Sequence, residues 1–287
     1  MRLLIDGDSL IYKGACAAEK TSYRLKYDDG SVEKYNTKKE ALAAIKPGKH
    51  GKLVKVKSYK DEKLAKWYTK KALDKILGYF EEGTDYIFFM SPDKGNFRDK
   101  VATTVKYKAN RPAKPKHYQV CKDYLKQLVG EHLQVHEGCE ADDMLSIYGR
   151  KYPEDLMVHI DKDILQVPGH HFNPDQGVLY EITELQGLQN LYTQLIIGDS
   201  TDNIPGLKML CKPRSCGPKK VEDALGDCRL GELVFAVRDH IYNNRTYNND
   251  GSQDWQEIYE KLYKEMYSLV HLLETEEELK EIQCQEK

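Results

Sequence analysis

The sequence predicts an α/β protein: a mostly parallel central sheet with helices on both faces, followed by a helical C-terminal region. Three observations carry this expectation. Apolar runs at 2–5, 86–90, 133–136 and 156–160 have the length and composition of core strands. Segments of helical periodicity separate them, the order expected of strand–helix–strand crossovers. From Leu230 the chain reads as helix apart from a polar loop, Asn243–Asp250.

Taken in order, the first run leads into Asp6-Gly7-Asp8-Ser9, at the strand end where open α/β sheets place ligand-binding groups. Leu10–Glu19 has helical character. Residues 23–36 alternate and turn at Asp28-Asp29-Gly30, a hairpin signal that interrupts the α/β alternation. Lys38–Ile45 reads as a short helix, 46–60 as a basic loop and Asp61–Glu82 as a long amphipathic helix. After the strand 86–90 comes Asp93 in a loop, then the basic, aromatic stretch 97–129, broken by Pro112 and Pro115. Its first half has a poor apolar stripe, which predicts an exposed arm ordered by a ligand rather than packed on a core. Ala141–Tyr148 is a helix, 164–182 a hairpin-like piece ending in the strand Val178–Ile182, and Glu184–Ile197 a helix. Residues 206–225 suggest helix–loop–helix. The expected division is a core of 1–198, with 22–60 inserted and 94–126 as the arm, and a C-terminal region of 199–287.

The chain has 287 residues, 40% of them hydrophobic and 31% charged, a composition typical of soluble globular proteins. No apolar run approaches the roughly 18 residues of a membrane span, and no signal-peptide pattern opens the chain. Seven cysteines at irregular spacing argue against a disulfide framework and for a cytoplasmic setting. Cys211 and Cys216 could form half a zinc site, but no second pair has matching spacing. A net charge of −2 hides segregation. Ten Lys/Arg face two acids between Lys94 and Lys126, and 46–60 holds six lysines and no acid. Segment 252–287 instead holds ten acids against four bases. Basic stretches beside acid clusters fit a polyanion held over metal ions.

The acids carry the chemistry. Asp6, Asp93, Asp161 and Asp163 lie at or just past strand ends. Glu140, Asp142, Asp143, Asp199 and Asp202 lie at helix starts or turns. In a parallel sheet the strand C-termini open on one edge, where these groups can converge. Unpaired acids held together repel, and an all-oxygen set points to Mg²⁺ or Mn²⁺. The competing reading of each single acid is a helix N-cap, which suits Asp199 or Asp202 taken alone. Nine acids in recurrent positions favour the metal reading.

The motifs IDGDSLIYKG, DKGNFRDKVATTVKYKANR, CEADDMLSIYG, IDKDILQV and IGDSTDNIPG, in this order, resemble the 5′→3′ exonuclease/flap endonuclease family, most closely its bacteriophage members. The resemblance covers about 1–225 and implies a PIN-like nuclease core, a helical arch and a helix–hairpin–helix. It implies two carboxylate clusters binding two or more Mg²⁺ ions: Asp6, Asp93, Glu140, Asp142 and Asp143 in one, Asp161, Asp163, Asp199 and Asp202 in the other. It implies that Lys108 and Arg111 address the scissile phosphate, that Tyr107 stacks on a terminal base, and that Arg98, Lys106, Lys114, Lys116, Lys219 and Lys220 touch DNA. The expected substrate is DNA with a 5′ end, flap or nick, or an RNA–DNA hybrid. Replication proteins in trans, a monomeric state and a K⁺ ion at the helix–hairpin–helix are further expectations. The chain departs from the family at LKMLCKPRSCGPKK, longer than the usual hairpin and with Ser215 where a glycine is expected; 22–60 and 226–287 have no counterpart.

Two rival readings stand beside this one. A haloacid-dehalogenase-type phosphatase would use Asp6-Gly7-Asp8-Ser9 as a nucleophile motif and Gly198-Asp199 as late metal acids. It leaves Glu140, Asp142, Asp143 and the basic arm unexplained. A non-catalytic DNA clamp would explain the basic stretches but not the acids.

Overall fold

The computed structural model describes residues 1–45, 50–246 and 255–284. In chain order, β1 (Leu3–Asp6) leads into α1 (Gly7–Ala17), β2 (Glu19–Tyr27), β3 (Val32–Tyr35) and α2 (Lys38–Ala43). Then come β4 (Gly51–Tyr59), α3 (Glu62–Leu77), β5 (Tyr86–Phe89) and the single turn α4 (Arg98–Val101). These are followed by α5 (Tyr118–Val129), β6 (Leu133–Gln134), α6 (Ala141–Lys151) and β7 (Leu156–Val158). Next are β8 (Gly169–Asn173), β9 (Val178–Ile182) and α7 (Glu184–Ile197). The last helices are α8 (Pro218–Gly226), α9 (Leu233–Asn244), α10 (Trp255–Val270) and α11 (Glu276–Cys284).

The chain forms two compact units that do not follow chain order. The first comprises Met1–Gly7, Glu82–Pro112 and His132–Lys287; the second comprises Asp8–Glu81 and Ala113–Glu131.

In the first unit, six strands lie in the order β6-β5-β1-β7-β8-β9. All neighbours are parallel except β8 and β9. Leu3, Leu4, Ile5, Phe88, Phe89, Leu156, Met157 and Val158 are all buried, so consecutive residues point into protein on both faces. That is why these strands read as unbroken apolar runs. Helix α6 packs on β1, β5 and β7, and its first N–H, from Ala141, is capped by Ser91 Oγ at 3.0 Å. A second apolar cluster joins Leu191 and Leu195 of α7 to Val221 and Leu225 of α8, Val237 of α9, and Met266 and Leu269 of α10. Each such buried aliphatic side chain contributes about 1.5–3 kcal/mol.

The loop after α7 is closed by Asp199 and Ile204, whose backbones exchange hydrogen bonds of 2.9 and 2.7 Å. Its flanks, Gly198 and Gly206, have φ of +69° and +68°. A Cβ on Gly206 would stand 2.3 Å from Gly198 N, so the two backbones meet where only glycine fits.

In the second unit β2 pairs antiparallel with β3 and β4, and α3 packs on α5. The hairpin turn forms where its signal lies, with Gly30 at φ +83°. The basic loop expected at 46–60 is corrected over its described part. Residues 51–59 are strand β4, in register with β2 from Glu19↔Tyr59 to Tyr27↔Gly51. Leu53 and Val56 are half-buried while Lys52, Lys55 and Lys57 are exposed. The lysines masked a two-sided strand pattern. Residues 46–49 of that expected loop and 247–250 of the expected polar loop lie outside the described residues.

Two further expectations change. The first half of the arm is anchored at Phe97, Arg98 and Tyr107, which are 7%, 2% and 5% exposed, while Asp99, Lys100 and Lys106 face solvent. An apolar-stripe reading does not see charged and phenolic groups that are buried because partners await them. In 206–225, the first element is a single 3₁₀ turn, Leu207–Leu210, before α8.

Candidate metal centre and nucleic-acid interface

Asp6 ends β1 and is 5% exposed. Asp142 sits in the first turn of α6, beside its N-cap Glu140, while Asp161 and Asp163 follow β7. Four carboxylates act on Asp142. Burial, then the charges of Asp6, Asp161, Glu140 and Asp163, push its carboxyl well above the usual range. Burial and Asp161 push Asp163 up to about 6, with Lys162 opposing and Asp199 adding. Among the described residues, neither Asp142 nor Asp161 makes an ion pair. The sheet edge therefore concentrates negative charge around Asp142, which is the electrostatic condition for binding a divalent cation.

The other acids have cationic partners. Lys108 Nζ bonds Glu140 and lies 3.7 Å from Asp202. Burial would raise the Glu140 carboxyl, but Lys108 and Arg98 hold it below the usual range. Arg111 donates from Nε to Asp202 Oδ1 at 2.8 Å and also from Nη2. Tyr107 Oη donates towards Glu140 Oε2 at 2.9 Å and Asp202 Oδ2 at 3.1 Å. Lys108 adopts φ +53°, and its N–H bonds Asp202 O at 2.7 Å. Lys162 Nζ bonds Asp199 Oδ2 at 2.7 Å and holds that carboxyl low. Gln194 of α7 donates to Asp163 Oδ1 at 3.0 Å.

Asp143 stands apart from the cluster. It is fully buried, and both its oxygens accept from Arg98 at 2.7 and 2.8 Å. Asp143 also accepts from Glu140 N at 2.9 Å and Leu273 N at 3.3 Å. Arg98 in turn donates to Leu269 O at 3.1 Å and His271 O at 2.7 Å. An arginine so enclosed has no face left for DNA, and an aspartate so engaged is a structural partner of arginine. Tyr107 is likewise buried, in the α7–α10 cluster. Asp93 is exposed on the bend after β5.

Of the other expected DNA contacts, Lys106, Lys219 and Lys220 are exposed in the first unit. In the second unit, Lys114 lies over the Tyr118 ring at 4.2 Å and Lys116 over the Tyr59 ring at 4.8 Å. A cavity of about 600 Å³ borders the loop between the 3₁₀ turn Leu207–Leu210 and α8, lined by Lys162, Lys208, Lys212, Arg214 and the N-terminal end of α8.

The donors fit hard divalent cations because all are carboxylate oxygens with excess negative charge. As they are placed, no three His, Cys, Asp or Glu side chains among the described residues stand close enough to grip one ion. The acids share a field without forming a closed coordination shell. Sequence reading missed Lys162 and Gln194 as partners of this cluster. The IDKD motif places Lys162 between two acids, but nothing in the sequence marks Gln194.

No protein-family model matches the chain, and no curated protein matches it. Among solved structures, a pseudo-enzyme–product complex of the bacteriophage T5 flap endonuclease with DNA and metal ions superposes with a TM-score of 0.51. It shares 17% identity, and the match covers 94% of this chain and 88% of that one. The α/β architecture expected from the sequence is thus present, and this chain shares the fold of a flap endonuclease.

Proposed function

We propose that the protein is a divalent-metal-dependent 5′→3′ exonuclease and structure-specific 5′ endonuclease acting on DNA. The observation that carries this reading is the convergence of Asp6, Glu140, Asp161 and Asp163 on Asp142. The fold shared with a flap endonuclease solved with DNA and metal ions supports it. Asp6, Glu140 and Asp142 would hold one Mg²⁺ or Mn²⁺, and Asp161, Asp163, Asp199 and Asp202 a second. Such ions activate water and stabilise the leaving oxygen of a phosphodiester. Lys108 and Arg111 are the groups of this chain suited to the scissile phosphate, because their contacts strengthen as its charge grows. Residues 1–198, joined by Asp199 and Asp202, form the catalytic part; the rest of 199–287, with Lys219 and Lys220 at the start of α8 and K⁺ in the hairpin, grips the DNA backbone. The enzyme acts as a monomer on 5′ ends, flaps or nicks, in phage DNA replication or degradation. Among the described residues, no helix is long and apolar enough to cross a membrane.

The test is cleavage of a 5′-labelled duplex, a 5′ flap and a small phosphate monoester, with Mg²⁺ and with excess chelator. Release of 5′ products from DNA alone, only with the metal, is expected. Full activity in chelator, or hydrolysis of the monoester alone, would overturn the proposal.

A further inference from the structure

The region 226–287 has no counterpart in the motifs above, yet α10 and the residues just past it bond the arm at several points. Glu265, on α10, is 7% exposed. Its Oε1 accepts from the backbone N–H of Thr103 at 2.8 Å and of Thr104 at 2.6 Å. Its Oε2 accepts from both threonine hydroxyls at 2.8 Å. Burial alone would raise this carboxyl; four donors at two adjacent residues outweigh it and hold the group below the usual range. These donors sit just past α4, where backbone N–H groups have left helical pairing. Leu269 O, on the same helix, and His271 O just beyond it take the guanidinium of Arg98. One end of α10 thus holds the chain at 98 and again at 103–104. Further along, Lys106 O accepts from Asn203, and Tyr107, Lys108 and Arg111 are held on Glu140 and Asp202.

We propose that Glu265 is a positioning residue: by fixing the root of the arm at Thr103–Thr104, it sets where Lys108 and Arg111 stand over the carboxylate cluster. A surface acid at this place would be solvated and bonded to little. A carboxylate spent entirely on two consecutive residues of another segment fixes that segment's path instead. The proposal rests on the nuclease reading for its consequence, but not for its geometry.

The experiment compares Glu265→Gln, Glu265→Asp and the milder Thr104→Val with the unaltered protein. Gln keeps the size but offers one acceptor oxygen where two are used, and turns an NH₂ towards donors. Two readouts are taken. Trypsin nicking after Lys106 and Lys108 in DNA-free protein reports the tether. Single-turnover cleavage of pre-bound DNA, beside DNA affinity measured in Ca²⁺, reports positioning. In Glu265→Gln, nicking after Lys106 and Lys108 should accelerate with no change elsewhere. Cleavage of bound DNA should fall about 10- to 100-fold at unchanged affinity, the cost of displacing a transition-state group by about 1 Å. Thr104→Val should show a smaller loss of the same kind, and Glu265→Asp should recover part of it. Unchanged nicking in both Glu265→Gln and Thr104→Val overturns the tether. Faster nicking with unchanged cleavage of bound DNA, or nicking accelerated equally along the whole chain, overturns positioning. Should the unaltered protein cleave no DNA, the nuclease reading fails, and the nicking pattern still decides the tether.

Discussion

Replacing Arg98 by methionine tests how the first acid helix is held. Methionine keeps much of the side-chain length while removing the charge and all five donors. Four hydrogen bonds vanish, two to Asp143, one to Leu269 O and one to His271 O, together with the 3.9 Å ion pair to Glu140. Asp143 is left fully buried with only backbone donors, from Glu140 and Leu273. Breaking a buried pair from one side costs about 3–5 kcal/mol, and the orphaned carbonyls act in the same direction. For a chain of this size that corresponds to a fall of roughly 6–20 °C in the unfolding midpoint. Thermal and urea unfolding of Arg98→Met, Asp143→Asn and the double variant measure it. The double variant should be clearly more stable than the sum of the single losses predicts, because the second change removes the charge that the first one strands. A loss below about 1 kcal/mol, or strict additivity, would refute the assignment of Arg98 and Asp143 as a buried pair. The salt dependence of DNA binding should not change, since Arg98 meets no solvent.

Asp142→Asn should raise the midpoint of the metal-free protein by relieving repulsion, and abolish the stabilisation that Mg²⁺ gives the unaltered chain, about 2.7 kcal/mol at a hundredfold excess over Kd; thermal scans with and without Mg²⁺ check both. Asp163 titrates near 6 when folded and near 3.9 when unfolded, so the stability present below pH 4 is lost as pH rises towards 6, by about 1.4 kcal/mol per unit. Asp163→Asn should flatten that limb of a pH–stability curve taken in chelator. Lys108→Ala and Arg111→Ala should lower single-turnover cleavage more than affinity, whereas Lys114→Ala and Lys116→Ala should weaken binding and reduce its salt slope by about one phosphate each.

Much of the sheet was legible because parallel strands buried on both faces leave unbroken apolar runs, as at 2–5 and 156–160. Strand β4 was not, because its exposed lysines resemble a basic loop until β2 is known to lie beside it. At the site, the strand-end position of Asp6 and the acid runs at 140–143 and 161–163 could be read directly. Which of two adjacent acids joins the cluster could not. Asp142 and Asp143 differ by one helical step, and the choice is made by Arg98, 45 residues away in sequence. Glu265 was invisible for the same reason: its partners lie more than 160 residues upstream.

The pairing of Lys108 and Arg111 with Glu140 and Asp202 has a thermodynamic consequence for the order of ligand binding. These cations are already neutralised before any phosphate arrives, so DNA does not meet an open positive surface there. A phosphate that takes them must strip two carboxylates of their counter-ions, and a divalent cation can then fill the deficit. Under the proposed function, metal and DNA would enter as partners in a double exchange, each lowering the cost of the other. Linkage makes that help reciprocal. Measured without metal, DNA affinity should include the work of breaking these pairs. Measured with metal, it should not.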